Sequence, residues 1–205
     1  MTHSVVLPDG RALDLDYFVA WRPYLWRKPV ADALAYMGDL RGKRVLEIGG
    51  GPGRMASLFA MLGADVTMLD RGDVLPAERE AEAWGVSDRV RACHTEGGFD
   101  AVAGQRFDVV FTKSVLWCIE ALGDFLNQIN EHLEDHGKVA FTENYRGGRA
   151  LFWIRKNLIH RGRFNYAPQY HGIRPDQIPL FRRRFSNVRV SRHRWLVYMI
   201  CGEKG

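Results

Sequence analysis

Val45-Leu-Glu-Ile-Gly-Gly-Gly-Pro-Gly53, with Val66-Thr-Met-Leu-Asp70 a short distance further on, decides how this 205-residue chain is read. A short apolar run closed by glycines reads as a buried strand. The glycines make a turn, and residues 53–62 a helix with Met55, Leu58, Phe59 and Leu62 on one face. Residues 65–70 are a second strand ending in a carboxylate. Gly49, Gly51 and Gly53 stand in G-x-G-x-G spacing. A dinucleotide fingerprint from Gly49 needs a third glycine at 54, where the chain has Arg54; from Gly50, Pro52 takes the second glycine's place. A pyrophosphate ligand is therefore disfavoured. Glycines permit positive φ and close approach of a ligand to the backbone, while Pro52 stiffens the loop. Glu47, just before the turn, suits a cationic or hydroxyl-rich ligand and repels a phosphate. Asp70 ends its strand where adjacent ribose hydroxyls are held in sites of this kind.

Working outward, the pattern alternates. The spacing predicts a hairpin around Pro8-Asp9-Gly10, an aromatic segment from Tyr17 to Trp26 interrupted by Pro23, and a helix over 29–40. After the second strand it predicts a helix from Pro76 to near Gly85, strands at 89–94 and 107–112, and a long helix marked by Leu122, Phe125, Leu126, Ile129 and Leu133 that ends before Gly137. A strand at 138–143 follows. Residues 144–185 form a basic, aromatic insert, with helices expected around 150–159 and 175–181. Two final strands, near 187–192 and 195–202, are too close together for a helix between them and must pair antiparallel. The fold class expected is α/β: a doubly wound, mostly parallel seven-stranded sheet with an antiparallel last strand, reversed at the edge. Its ligand crevice lies at the carboxyl ends of the strands, where Glu47, Asp70, Glu96, Lys113 and Glu143 fall.

With 46% apolar and 26% charged residues, the chain has the composition of a soluble globular protein, and 205 residues suit one domain. No apolar run reaches the roughly 18 residues of a membrane span, and no signal pattern opens the sequence. Cys93, Cys118 and Cys201 are widely spaced and odd in number, so free buried thiols and a reducing cytoplasm are expected. The net charge of +5 is unevenly spread: residues 1–145 carry −7 and residues 146–205 carry +12. A basic last third points to an anionic partner: an acidic small molecule, nucleic acid or a lipid surface.

These residues together resemble the class I S-adenosylmethionine-dependent methyltransferases over roughly residues 28–202. Glu47-Ile-Gly-Gly-Gly-Pro-Gly53 is similar to the family's first motif, E/D-x-G-x-G-x-G, and Asp70 to its ribose-binding acid. Phe107-Asp-Val-Val-Phe-Thr-Lys-Ser-Val-Leu-Trp117 is similar to the fourth-strand motif, whose exit residues, the resemblance implies, line the methionyl and methyl region. The resemblance implies S-adenosyl-L-methionine as cofactor, S-adenosyl-L-homocysteine as product, and a cofactor site of Glu47, Gly49, Gly50, Gly51, Gly53, Asp70, Arg71, Glu96, Gly97 and Lys113. Lys113 departs from the small or amide residue common at its position. Catechol-type relatives bind a metal with an acid after the fourth strand; Lys113-Ser114 supplies none there, so no metal is expected.

The sulfonium carries an activated methyl group, so the protein mainly positions an acceptor and excludes water. Glu143 and His171 are the candidates for a general base; Glu143 could equally cap backbone amides, and His171 lie at the surface. Trp117, Tyr145, Arg146 and Tyr170 are candidates for acceptor binding. Tyr17, Trp21, Tyr24 and Trp26 form either a lid or plain core. The domain plan is a single methyltransferase domain over 1–205: an N-terminal lid at 1–40, the cofactor core at 41–143, an acceptor-binding insert at 144–185 and a terminal hairpin at 186–205. The leading function is methyl transfer to an oxygen or nitrogen of a small, anionic or amphipathic acceptor. The alternatives are a nucleic-acid methyltransferase using the basic third and a non-catalytic scaffold subunit; peripheral lipid contact ranks low, and the oligomeric state is unassigned.

Overall fold

The computed structural model describes residues 4–20, 22–145, 172–194 and 196–205. The apolar runs form a sheet of seven strands: β3 (Arg44–Ile48), β4 (Asp65–Asp70), β5 (Val90–His94), β6 (Phe107–Lys113), β7 (Leu133–Asn144), β8 (Ser186–His193) and β9 (Val197–Glu203). Their spatial order is β5-β4-β3-β6-β7-β9-β8. β3 to β7 pair in parallel, while β9 runs antiparallel to both neighbours. The last strand is antiparallel as expected, but it lies one place in from the edge. β8 is the edge, because it runs up the sheet before β9 returns between β8 and β7. A small hairpin of β1 (Ser4–Val6) and β2 (Ala12–Asp14) precedes the sheet.

Two apolar layers cover the sheet. Alternate strand residues such as Val45 and Phe111 pack under α1 (Leu15–Val19), α2 (Pro23–Met37), α3 (Arg54–Met61) and α4 (Leu75–Ala83). Leu46 and Val110, facing the other way, pack under α5 (Leu122–Glu131) and α6 (Ile178–Arg182). The chain leaves β3 for β4 on one side and returns to β6 on the other. The crevice between the tips of β3 and β6 is thus the topological switch point, where open α/β sheets bind ligands.

Three boundaries differ from the sequence reading. The N-terminal helix begins at Pro23, whose missing N–H costs nothing at a first helical position, and it carries Pro29 in its interior. The buried stripe of Leu25, Trp26, Val30, Ala33 and Met37 offsets the hydrogen bond lost at Pro29. It stops at Gly38 with φ of 79°, short of residue 40. Leu133, read as the end of α5, instead opens β7 and pairs with Phe107.

Candidate functional site

The turn after β3 holds Gly49, Gly51 and Gly53 at φ of 73°, 53° and 76°, values that favour glycine. A Cβ on Gly49 would lie 2.3 Å from Val115 Cγ2, one on Gly50 2.3 Å from Met68 Sδ and one on Gly53 2.5 Å from Ala77 Cβ. At Gly51 the same direction is open space. Three glycines therefore let neighbouring elements close on the turn, and the fourth leaves the backbone bare. Asp70 clasps this turn to the next: its Oδ2 accepts from the Gly51 amide and its Oδ1 from the Gly72 amide, both at 2.7 Å.

Beyond the turn lies a cleft of about 510 Å³. Ile48, Leu69, Phe99, Val115 and Phe125 give it apolar walls. Asp70, Glu96, Glu120 and Asp124 against Arg71 give it an acidic rim. That balance suits a flat, uncharged ring with a cation and repels a polyphosphate. His94 ties two of its loops together, with Nδ1 3.2 Å from the Gly72 carbonyl and Nε2 3.2 Å from Glu96. These contacts raise its pKa, the Gly72 hydrogen bond first and Glu96 second.

One wall of the cleft is fixed from beneath by Glu143, fully buried near the tip of β7. Its Oε1 accepts from Thr112 Oγ1 at 2.7 Å and its Oε2 from the Leu116 amide at 3.0 Å. The Val115 amide donates to both oxygens. Burial pushes this carboxyl up to about 7, against the pull of its hydrogen bonds. Ser114, at the start of the same loop, sits at φ of 60° and accepts from Asn144 Nδ2 at 2.6 Å.

On the opposite face of the sheet, Glu47 is 2% exposed and burial pushes its pKa up to about 8. Its Oε2 has no hydrogen-bond partner among the described residues. Lys113, held below its ordinary value by burial, places Nζ 5.2 Å from the centre of the Trp26 ring.

A family model described as a methyltransferase domain matches residues 18–186, most of the chain. The chain belongs to the class I S-adenosylmethionine-dependent methyltransferase family. It is 34% identical over 110 residues to a malonyl-[acyl-carrier protein] O-methyltransferase from Pseudescherichia vulneris, covering 53% of this chain and 42% of that one. It is also 34% identical over 100 residues to a ubiquinone biosynthesis O-methyltransferase from Azorhizobium caulinodans, covering 48% and 39%. The chain thus spans about two fifths of the length of these relatives. Two structures from Burkholderia thailandensis share the fold. One is an O-methyltransferase family protein, with TM-score 0.66, 14% identity and coverage of 88% of this chain and 56% of that one. The other is 1,6-didemethyltoxoflavin-N1-methyltransferase, with TM-score 0.64, 20% identity and coverage of 92% and 81%.

Against this family background, the residues singled out from the sequence divide. Gly49, Asp70, Arg71, Glu96 and Gly97 line the cleft. Gly50, Gly51 and Gly53 shape its floor. Glu47 and Lys113 lie on the other face, Glu47 against the start of α3 at Ala56 and Lys113 under Trp26 of α2. Glu143 is corrected: with its oxygens engaged by a hydroxyl and two amides, it caps a loop and does not face the cleft as a base. Trp117 donates Nε1 to the Ser114 carbonyl at 2.5 Å. Tyr145, at the tip of β7, packs edge-on to Tyr198 at 4.8 Å and lies under the Arg192 guanidinium. Arg146, Tyr170 and His171 lie outside the described residues, as does Trp21. Of the proposed lid, Trp26 is core at 1% exposure, whereas Tyr17 and Tyr24 are exposed. Cys118 is exposed at the cleft, not buried. No cluster of His, Cys, Asp or Glu suited to a metal occurs among the described residues, nor does any helix there long and apolar enough to cross a membrane. Ser114 and Val115, in the exit of the fourth-strand motif, line the cleft. Sequence reasoning missed Glu120 and Asp124, which follow that motif and which only the position of the loop after β6 could have pointed to.

Proposed function

We propose that this chain transfers the methyl group of S-adenosyl-L-methionine to an oxygen or nitrogen of a small acceptor of anionic or amphipathic character. One observation carries this reading: the acid-rimmed cleft at the tips of β3, β4 and β6, floored by a bare glycine turn and closed by Asp70. The cofactor supplies an activated methyl on a sulfonium. Apolar walls of Leu69, Phe99 and Phe125 accommodate a purine. Asp70 and Glu96 are placed to accept hydroxyl and amino protons, and the open space at Gly51 fits close approach to the main chain. The chain's own contribution is to orient this molecule and keep water from it. The O-methyltransferase relatives support an oxygen acceptor.

Acceptor binding falls in this reading to the tips of β6 and β7, with Trp117 and Tyr145, and to the segment 144–185 that continues from them. Glu143 acts as a positioning residue, through the loop it caps. The single-domain plan and a cytoplasmic setting, consistent with three unpaired cysteines, belong to the same proposal. Calorimetry with S-adenosyl-L-homocysteine tests it: micromolar binding is expected, and none would leave only the scaffold reading. Exposed Arg182, Arg183, Arg189 and Arg194 favour a second reading, methylation of nucleic acid. Binding to bulk RNA that falls steeply with salt supports that alternative, and indifference to RNA removes it.

A further inference from the structure

The acid-rimmed cleft has a basic counterpart at the same end of the sheet. A hollow of about 380 Å³ opens between the first turns of α2 and the turn from β8 to β9. Arg27, Lys28, Arg192 and Arg194 line it, and among the described residues no carboxylate does. Two of these cations are met from beside the hollow. Arg27 pairs with Asp16 and Lys28 with Asp32, which also lies 3.5 Å from His193 Nε2. Arg192 stands 5.3 Å over the ring of Tyr145, and Arg194 meets no acid among the described residues. Guanidinium groups two residues apart repel each other unless an anion lies between them. Arg194 also holds φ of 47° on an exposed turn, and backbone strain of that kind collects at binding sites. The rest of the lining is apolar or aromatic: Leu25 and Pro29 are buried, and Tyr24 offers an exposed ring. Charge and shape together suit an organic acid, with an anionic head for the arginines and an apolar body for the floor.

We propose that this hollow seats the anionic head of the methyl acceptor, a carboxylate or a phosphate monoester. The proposal rests on the cofactor reading above and adds what the acceptor carries and where it is held. Strand register places the two sites on one rim. His193 is in register with Val197, and Val197 with Asn144. Asn144 donates to Ser114, which lines the cofactor cleft. Hollow and cleft are thus separated by the tips of β7 and β9. The tips of β6 and β8 stand three strand spacings apart, about 14 Å. An acceptor with its head on Arg192 and Arg194 reaches the cleft only if it is elongated, and it passes Tyr145 on the way. Opposite charges keep the two ligands sorted, since the acidic rim draws the sulfonium and the arginines draw the acceptor's head.

The test is calorimetry on the full chain loaded with S-adenosyl-L-homocysteine, using 3-phenylpropionate, phenyl phosphate and the uncharged 3-phenylpropanol. At least one of the two anions should bind with a dissociation constant of about 0.1–1 mM, at least about tenfold tighter than the alcohol. The tighter anion identifies the head group. Arg192→Gln combined with Arg194→Gln should weaken that anion at least about tenfold and leave S-adenosyl-L-homocysteine binding within about threefold. Should the double variant not fold, Arg194→Gln alone, on its exposed turn, gives a smaller loss in the same direction. Anion affinity should be the same, within about threefold, with and without S-adenosyl-L-homocysteine. Failure of both anions to bind at about 10 mM overturns the proposal, as does an alcohol that binds equally well or an affinity unchanged in the variants. Displacement of the anion by S-adenosyl-L-homocysteine overturns it too, by putting the anion in the cofactor cleft. Each of these results leaves the cofactor reading standing. If S-adenosyl-L-homocysteine itself fails to bind the wild-type chain, that reading falls, and the acceptor role of the hollow with it.

Discussion

The backbone amide of Val115 donates to both oxygens of Glu143, at 3.1 and 2.9 Å, and the side chain of that valine closes directly over Gly49. A buried carboxylate on β7 thus sets the position of the loop that covers the glycine turn of β3. Glu143→Gln keeps the shape but turns an amide N–H₂ toward donors. It is expected to lower unfolding free energy by about 2–4 kcal/mol in urea denaturation. Thr112→Val, which removes one hydroxyl donor, should cost only about 1 kcal/mol.

Stability should depend on pH through Glu47 and Glu143, both raised from 4.5, to about 8 and about 7 respectively. Between 4.5 and those values the folded chain holds protons that the unfolded chain has released. Their contribution is therefore complete below pH 4.5 and lost as pH rises through 7 to 8. Urea denaturation across pH 5 to 9 should show a declining unfolding free energy, with each group contributing a slope of up to about 1.4 kcal/mol per pH unit. Glu47→Gln should flatten the upper part of that slope. An unchanged slope in the variant would show that Glu47 ionises normally in the fold.

The glycines of the turn should separate by role. Gly49→Ala places a methyl 2.3 Å from Val115 Cγ2 at φ of 73°. A loss of about 2–4 kcal/mol in stability is expected, as for overpacking combined with backbone strain. Gly51→Ala meets no neighbour, so its stability cost should stay near 1 kcal/mol. Its cofactor affinity should fall at least tenfold, because the added methyl occupies the ligand's side of the turn. Thermal melts and calorimetry on the two variants measure both quantities.

Asp70 has a structural task as well as a binding one, since two amides rely on its oxygens. Asp70→Ala should lower both stability and cofactor affinity, each by about 1–3 kcal/mol. Asp70→Asn, which still offers one oxygen, should lose less of each. A variant that lost affinity with no change in melting temperature would show that the clasp contributes nothing to the fold.

The order of strands and helices was legible because each apolar run in residues 44–143 is bounded by glycine, proline or charge. The ends were less so. Leu133 continues the helical spacing of α5, and only its pairing with Phe107 draws it into β7. The helix expected from residue 29 begins at Pro23 and carries Pro29 within it, because the stripe from Leu25 to Met37 holds it together. At the site, Glu47, Asp70 and the glycines announce themselves by spacing. The roles of Glu143 and Lys113 do not, since one depends on a loop 27 residues away in sequence and the other on Trp26, brought over it by α2. Contacts of that kind arise from packing, and no local pattern encodes them.

The insertion of β9 between β7 and β8 bears on how the chain is assembled. As it leaves the ribosome, β8 emerges before the strand that connects it to the growing ladder, and so has no partner to join. Residue 143, on β7, lies opposite Tyr198 of β9. The nascent strand carrying that carboxylate therefore stays open along one side until β9 arrives. Newly made chains caught at that stage expose an unpaired edge, and a chaperone that shields such edges would find its client there.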